Sequence, residues 1–125
     1  MATILLIDDD ELVRITVRQI LESAGHTVVE ARNGDEGLRV IATMQPDLII
    51  TDIIMPEKEG IETILEIRRR NTNIRIVAMS GGGQAQAMDF LPLARKLGAD
   101  QILRKPFGPA ELLEVTDLAL KGTIL

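Results

Sequence analysis

The chain contains no cysteine, which excludes a disulfide framework, a thiolate metal site and a cysteine nucleophile. Tryptophan and tyrosine are missing too, and Phe90 and Phe107 are the only aromatic residues. The core therefore has to be assembled from Ile, Leu, Val, Met and Ala. Cationic runs are scarce: Arg68-Arg69-Arg70 stands alone against a net charge of -5. Duplex affinity rests on neutralising many phosphates, so direct nucleic-acid binding is not expected. The arginine run reads instead as the last turn of a helix, where cations complement the macrodipole. No apolar stretch is long enough to span a bilayer. Met1-Ala2-Thr3 leads into four apolar residues stopped by three aspartates, which is not the pattern of a signal peptide. A cytoplasmic location and no membrane partner are expected.

What is present is an alternation. With 125 residues the chain is long enough for one core, and a single domain over 1–125 is expected. Ile4-Leu5-Leu6-Ile7 is a continuous apolar run. A helical pattern follows, with Val13, Val17, Ile20, Leu21 and Ala24 on one face, stopped by Gly25. Thr27 to Val29 reads as a second strand, Asn33-Gly34 as a turn, and Leu38 and Ile41 as part of a second helix closed by Pro46. Asp47 to Thr51 forms a third strand that ends at Asp52. Gly60 to Arg70 fits a third helix, Ile74 to Met79 a fourth strand and Gln101 to Arg104 a fifth. Pro92 is tolerated only in a helix's first turn, which puts Asp89 at the N-cap of a fourth helix that ends at Gly98. Pro109 opens a last helix running to about Lys121. His26 is read as the surface start of the second strand. Near-continuous apolar strands separated by helices predict a parallel sheet covered on both faces. The expected fold is α/β and flavodoxin-like, with a doubly wound five-stranded parallel sheet of order 2-1-3-4-5 and five helices.

Ligands bind such sheets at the carboxyl ends of the strands, where the winding reverses. Asp8 and Asp9 follow strand 1, Asp52 follows strand 3, Ser80 strand 4 and Lys105 strand 5. Each has a bland reading when taken alone. Asp runs cap helices, as Asp10 is expected to do. Asp52 could be a turn residue, Lys105 a solvated charge and Ser80 a loop hydroxyl. Together they form one rim. Three close carboxylates repel one another, and a hard cation relieves that repulsion. A carboxylate beside such a cation can act as a nucleophile in phosphoryl transfer, while an ammonium pairs with the phosphoryl oxygens. Gly81-Gly82-Gly83 is not a phosphate-binding P-loop, because no Lys-Ser/Thr pair follows; it is read as a hinge.

Asp8-Asp9, Asp52-Ile53-Ile54-Met55-Pro56 with Gly60, Ser80-Gly81 and Lys105-Pro106-Phe107 together resemble the signature of response regulator receiver domains, over the whole chain. The resemblance implies a phosphoacceptor switch in histidine-to-aspartate signalling. Asp52 is then the acceptor, and Mg²⁺ is held by Asp8 through water, by Asp9 and Asp52, and by the Ile54 backbone carbonyl. Ser80 is the switch hydroxyl, Lys105 the phosphate-pairing lysine, and the Lys105-Pro106 bond is cis. The implied partners are a histidine kinase or phosphotransfer protein and an unidentified downstream protein target. Helix 1 is the implied docking face, with Glu11, Arg14 and Arg18 as its exposed residues. The chain is expected to be a monomer or a phosphorylation-dependent dimer, and no enzyme beyond its own phosphorylation and dephosphorylation. Met55-Pro56 would shape the loop beside Asp52.

Two departures stand out. Ile102 occupies the strand 5 position where many receivers carry Tyr or Phe, so displacement of helix 4 is expected to carry the signal. Neither Ile54 nor Gly82 can hold an attacking water, and slow self-dephosphorylation is expected. The alternatives weighed are a receiver-fold interaction module that is never phosphorylated, a structural domain with a solvated acidic rim and a haloacid-dehalogenase-type phosphatase. The last needs an acid two residues beyond its nucleophile, and Ile54 stands there. Asp8 and Asp10 have the spacing, but Leu12 stands where Thr or Val is usual and the chain lacks a cap.

Overall fold

The apolar runs become five strands in a computed structural model that describes residues 2–53, 59–70, 73–80 and 91–122. Ten elements alternate among the described residues: β1 (Thr3–Ile7), α1 (Glu11–Ser23), β2 (Thr27–Ala31), α2 (Gly34–Thr43), β3 (Leu48–Asp52), α3 (Glu59–Arg70), β4 (Arg75–Ser80), α4 (Leu91–Leu97), β5 (Gln101–Arg104) and α5 (Pro109–Lys121). All strand pairs are parallel, in the order β2-β1-β3-β4-β5. The winding reverses between β1 and β3, as the apolar pattern predicts.

Strand alternation divides the core in two. Ile4, Leu6, Leu48, Ile50, Val77, Met79 and Leu103 pack with Val17 and Leu21 of α1 and Leu112, Val115 and Ala119 of α5. On the opposite face Leu5, Ile7, Ile49, Ile76 and Ala78 meet Ile64 and Ile67 of α3 and Ala94 of α4, with Leu38 and Ile41 of α2 alongside. Burying one such Ile or Leu contributes about 1.5–3 kcal/mol, against about 1 kcal/mol for a helix cap. Side-chain burial therefore holds the layers together, and the caps decide where helices begin.

Those caps locate the helix starts. Asp10 accepts from the N–H of Leu12 (2.9 Å) and of Val13 (3.4 Å) and opens α1, as expected. Asn33 accepts from Glu36 N–H at 2.9 Å, and Glu36 accepts from Arg32 N–H at 2.7 Å. The Asn33-Gly34 pair is thus a helix start rather than a separate turn, because the asparagine side chain satisfies a first-turn donor. Gly34 also lets α2 approach α3: a Cβ there would overlap the Thr63 hydroxyl at 2.0 Å. Pro92 lies in the first turn of α4, as expected. Asp89, Phe90, the Met55-Pro56 pair and the Gly81 to Gly83 hinge lie outside the described residues.

The arginine run does close α3. Arg68, however, is largely buried and spans three segments. Its guanidinium donates to the carbonyls of Gly98 (2.9 and 2.7 Å) and Ile74 and to the Asp100 carboxylate at 3.0 Å. Asp100 in turn accepts from Ile76 N–H at 2.8 Å. The C-terminal ends of α3 and α4 are fixed to the start of β4 through this one side chain. Leu65 of α3 is exposed, unlike its apolar neighbours Ile64 and Ile67.

Candidate functional site at the carboxyl end of the sheet

Register brings the acids together. Ile7 pairs with Thr51, so the residues that follow, Asp8 and Asp52, leave the sheet side by side. Asp8 is fully buried and Asp52 nearly so, while Asp9 is exposed. One carboxylate oxygen from each of the three lies within 4.8 Å of the other two. Asp8 Oδ1 accepts from Asp10 N–H at 2.8 Å, which ties the pair to the start of α1.

A backbone bond sets the lysine beside them. Lys105 N–H donates to the Ser80 carbonyl at 2.9 Å, at the junction of β4 and β5. The Lys105 ammonium then reaches Asp8 Oδ2 at 3.0 Å and Asp52 Oδ2 at 3.1 Å. Burial works against the charged amine. The negative charge of Asp52 and the hydrogen bond to Asp8 outweigh it, and the Lys105 pKa is raised above its ordinary value. The Lys105-Pro106 peptide is cis. Ser80 is the buried last residue of β4, one position beyond the Met79 that pairs with Asp52. Ile54 lies outside the described residues. The other residues named from the sequence, Asp8, Asp9, Asp52, Ser80 and Lys105, all lie at this rim.

The donor set consists of hard oxygens, with an exposed member on the water side. That chemistry suits a Mg-type divalent cation, which keeps several waters in an octahedral shell. The Lys105 ammonium, with a cation held by those oxygens, suits an entering phosphoryl group, whose oxygens need cationic partners.

Ile102 is half-buried on the face that meets α4, in register with Ala78. Sequence reasoning mistook one α1 residue. Arg14 is buried rather than exposed, because its guanidinium turns inward to Glu30 and the Asp8 carbonyl. Glu11 is exposed as expected and Arg18 is half-buried, and two apolar residues of α1 are exposed beside them, Leu12 at 71% and Ile15 at 42%. A groove of about 320 Å³ lies beside Leu12, lined also by Val13, Thr16, Lys105, Pro106 and Phe107. Leu12 and Ile15 fall off the stripe defined by Val13, Val17 and Leu21, and that offset was the available signal.

The class is thus a doubly wound parallel α/β sheet with three carboxylates and a lysine gathered at the carboxyl ends of its strands. Residues 4–117 match the family model of the response regulator receiver domain, and the chain belongs to that family. It is 36% identical over 126 residues to the nitrate/nitrite response regulator NarL of Escherichia coli, covering 99% of this chain and 57% of NarL. It is 36% identical to the chemotaxis protein CheY of Thermotoga maritima, covering 94% of this chain and 97% of CheY. The chain therefore spans little more than half of NarL but nearly all of that CheY. A solved receiver domain from Clostridium thermocellum superposes with a TM-score of 0.86 at 31% identity, covering 97% of this chain and 95% of its own. As a receiver domain, the chain is a component of two-component signalling. Among the described residues no helix is long and apolar enough to cross a membrane.

Proposed function

We propose that residues 1–125 form a single receiver unit that is phosphorylated on Asp52. The observation that carries this reading is the convergence of the Asp8, Asp9 and Asp52 carboxylates, with the Lys105 ammonium paired to Asp8 and Asp52. A carboxylate oxygen of Asp52 attacks the donor's phosphorus. The bond from phosphorus to the donor breaks, and its electron pair leaves with the donor, as acetate from acetyl phosphate or as an imidazole from a phosphohistidine. Mg²⁺ held by Asp8 through water, Asp9, Asp52 and the Ile54 carbonyl would offset the charge on the phosphoryl oxygens. Lys105, already poised between two carboxylates, transfers one of its three donors to a phosphoryl oxygen. The Ser80 hydroxyl donates to another and draws the segment after β4 toward the site, which biases a two-state equilibrium.

The partner class is a histidine kinase or phosphotransfer protein that docks along α1, with the apolar groove beside Leu12 and Phe107 as its contact. The chain acts on no substrate beyond its own phosphoryl group. Intact mass after incubation with acetyl phosphate and Mg²⁺ tests the core of this reading. One phosphoryl adduct is expected on the parent, and none on Asp52→Asn or without Mg²⁺. A parent that takes up neither phosphoryl nor beryllofluoride would be an unphosphorylated interaction module instead.

A further inference from the structure

Arg14 is an unusual tenant of a helix's first turns, where a guanidinium ordinarily reaches water. Its side chain is only 10% exposed. Burying that charge is costly unless its donors are matched. Nη1 donates to the backbone carbonyl of Asp8 at 2.7 Å, and Nε donates to Glu30 Oε1 on β2 at 3.0 Å. Glu30 is itself held from the other side, its second oxygen accepting from Arg18 Nη1 at 2.7 Å. Arg18 Nε completes the chain with Glu22 at 2.9 Å.

The carbonyl that Arg14 grips belongs to the peptide joining Asp8 to Asp9. The plane of that peptide decides where Asp9 leaves the backbone. Asp8 is fixed on its other sides as well: its N–H donates to the Ala31 carbonyl at 3.1 Å, and its carboxylate is held by Asp10 N–H and Lys105. Asp9 is exposed and has no such frame in the described bonds of its side chain, so the peptide before it is the point of control. We propose that Arg14, braced by Glu30, is a positioning residue that orients the Asp8–Asp9 peptide and holds the two carboxylates in the arrangement that binds a divalent cation with Asp52. This rests on the phosphoacceptor reading above and adds to it a residue outside the acidic rim.

Two simpler roles make opposite predictions. As a nearby positive charge alone, Arg14 would weaken cation binding, and its removal would tighten it. As a brace between α1 and β2 alone, its removal would lower the melting temperature and leave cation affinity unchanged. The experiment is a Mg²⁺ titration followed by amide chemical shifts, with thermal melts in parallel, on the parent, Arg14→Gln, Arg14→Lys and Arg69→Gln. The last variant removes an exposed charge far from the rim. Partners behind a metal ligand typically tune affinity by tenfold or more. Arg14→Gln is expected to bind Mg²⁺ about tenfold more weakly, and Arg14→Lys, which keeps the charge but not the two-pronged grip, about threefold more weakly. Arg69→Gln should match the parent. Unchanged or tighter binding by Arg14→Gln would overturn the proposal; if that variant does not fold, parental affinity in Arg14→Lys does the same. A parent that binds no Mg²⁺ would instead remove the phosphoacceptor reading, and this proposal with it.

Discussion

Gly60 and Ile53 meet main chain to main chain: a Cβ on Gly60 would lie 2.2 Å from Ile53 Cα and 2.6 Å from the Asp52 carbonyl oxygen. Neither neighbour is a side chain that can rotate away. α3 therefore begins hard against the residue that follows Asp52, and only glycine permits the approach. Gly60→Ala is expected to destabilise the protein by about 1–3 kcal/mol and to slow phosphoryl uptake by Asp52. Urea unfolding and an intact-mass time course measure both. An alanine variant that matches the parent in each would refute the steric argument.

Lys105 separates cation binding from phosphoryl transfer. Its ammonium sits between Asp8 and Asp52 and competes for their charge. Lys105→Gln is expected to bind Mg²⁺ at least as tightly as the parent. Uptake from acetyl phosphate should nevertheless fall, by about 100-fold, because a charged donor to the phosphoryl oxygens is gone. Equal uptake rates in parent and variant would show that the lysine serves only to neutralise the acids.

The sheet order and the acidic rim were legible in the sequence because both follow from strict periodicities. Apolar runs ending in Asp, Ser or Lys put those residues at one end of a parallel sheet whatever the details of packing. Arg14 was not legible in the same way. A helical arginine one residue after Val13 looks solvent-bound, and only the position of Glu30 on the neighbouring strand turns it inward. Arg68 is similar: the macrodipole accounts for three arginines in a last turn, but not for the one whose reach happens to match Gly98 and Asp100. Asparagine and glycine mark both turns and helix starts, so the Asn33-Gly34 pair alone suggests a turn, and Glu36 three residues on is the deciding clue.

Acid sensitivity should trace in part to Glu30. Its carboxyl is held below the ordinary value of 4.5, chiefly by the hydrogen bond from Arg18, with burial opposing and the Arg14 bond assisting. A carboxyl depressed in the fold contributes stability that is complete above its unfolded value. That contribution declines as pH falls through the folded value. Glu30→Gln is expected to lower the melting temperature at neutral pH and to flatten its decline below about pH 4.5. Melting curves from neutral to strongly acidic pH measure this, and parallel curves for parent and variant would rule it out.

Ser80 and Ile102 bear on how the site is read elsewhere in the molecule. Ile102 already packs between the sheet and α4, and an aliphatic side chain there cannot present a phenol to a partner. Beryllofluoride is expected to shift amide resonances in α4 of the parent. In Ser80→Ala the anion should still bind while the α4 shifts shrink to a small fraction. Full α4 shifts in the alanine variant would move the coupling away from the hydroxyl.

The Arg68 clamp gives α4 a fulcrum. The helix is anchored at its Gly98 end to α3 and β4, while its Leu91 end lies toward the carboxyl end of the sheet. A push at that front end cannot slide the helix along the sheet and must tilt it instead, as a lever hinged at the back. A short travel near Ser80 then becomes a change of angle across the whole outer surface of α4.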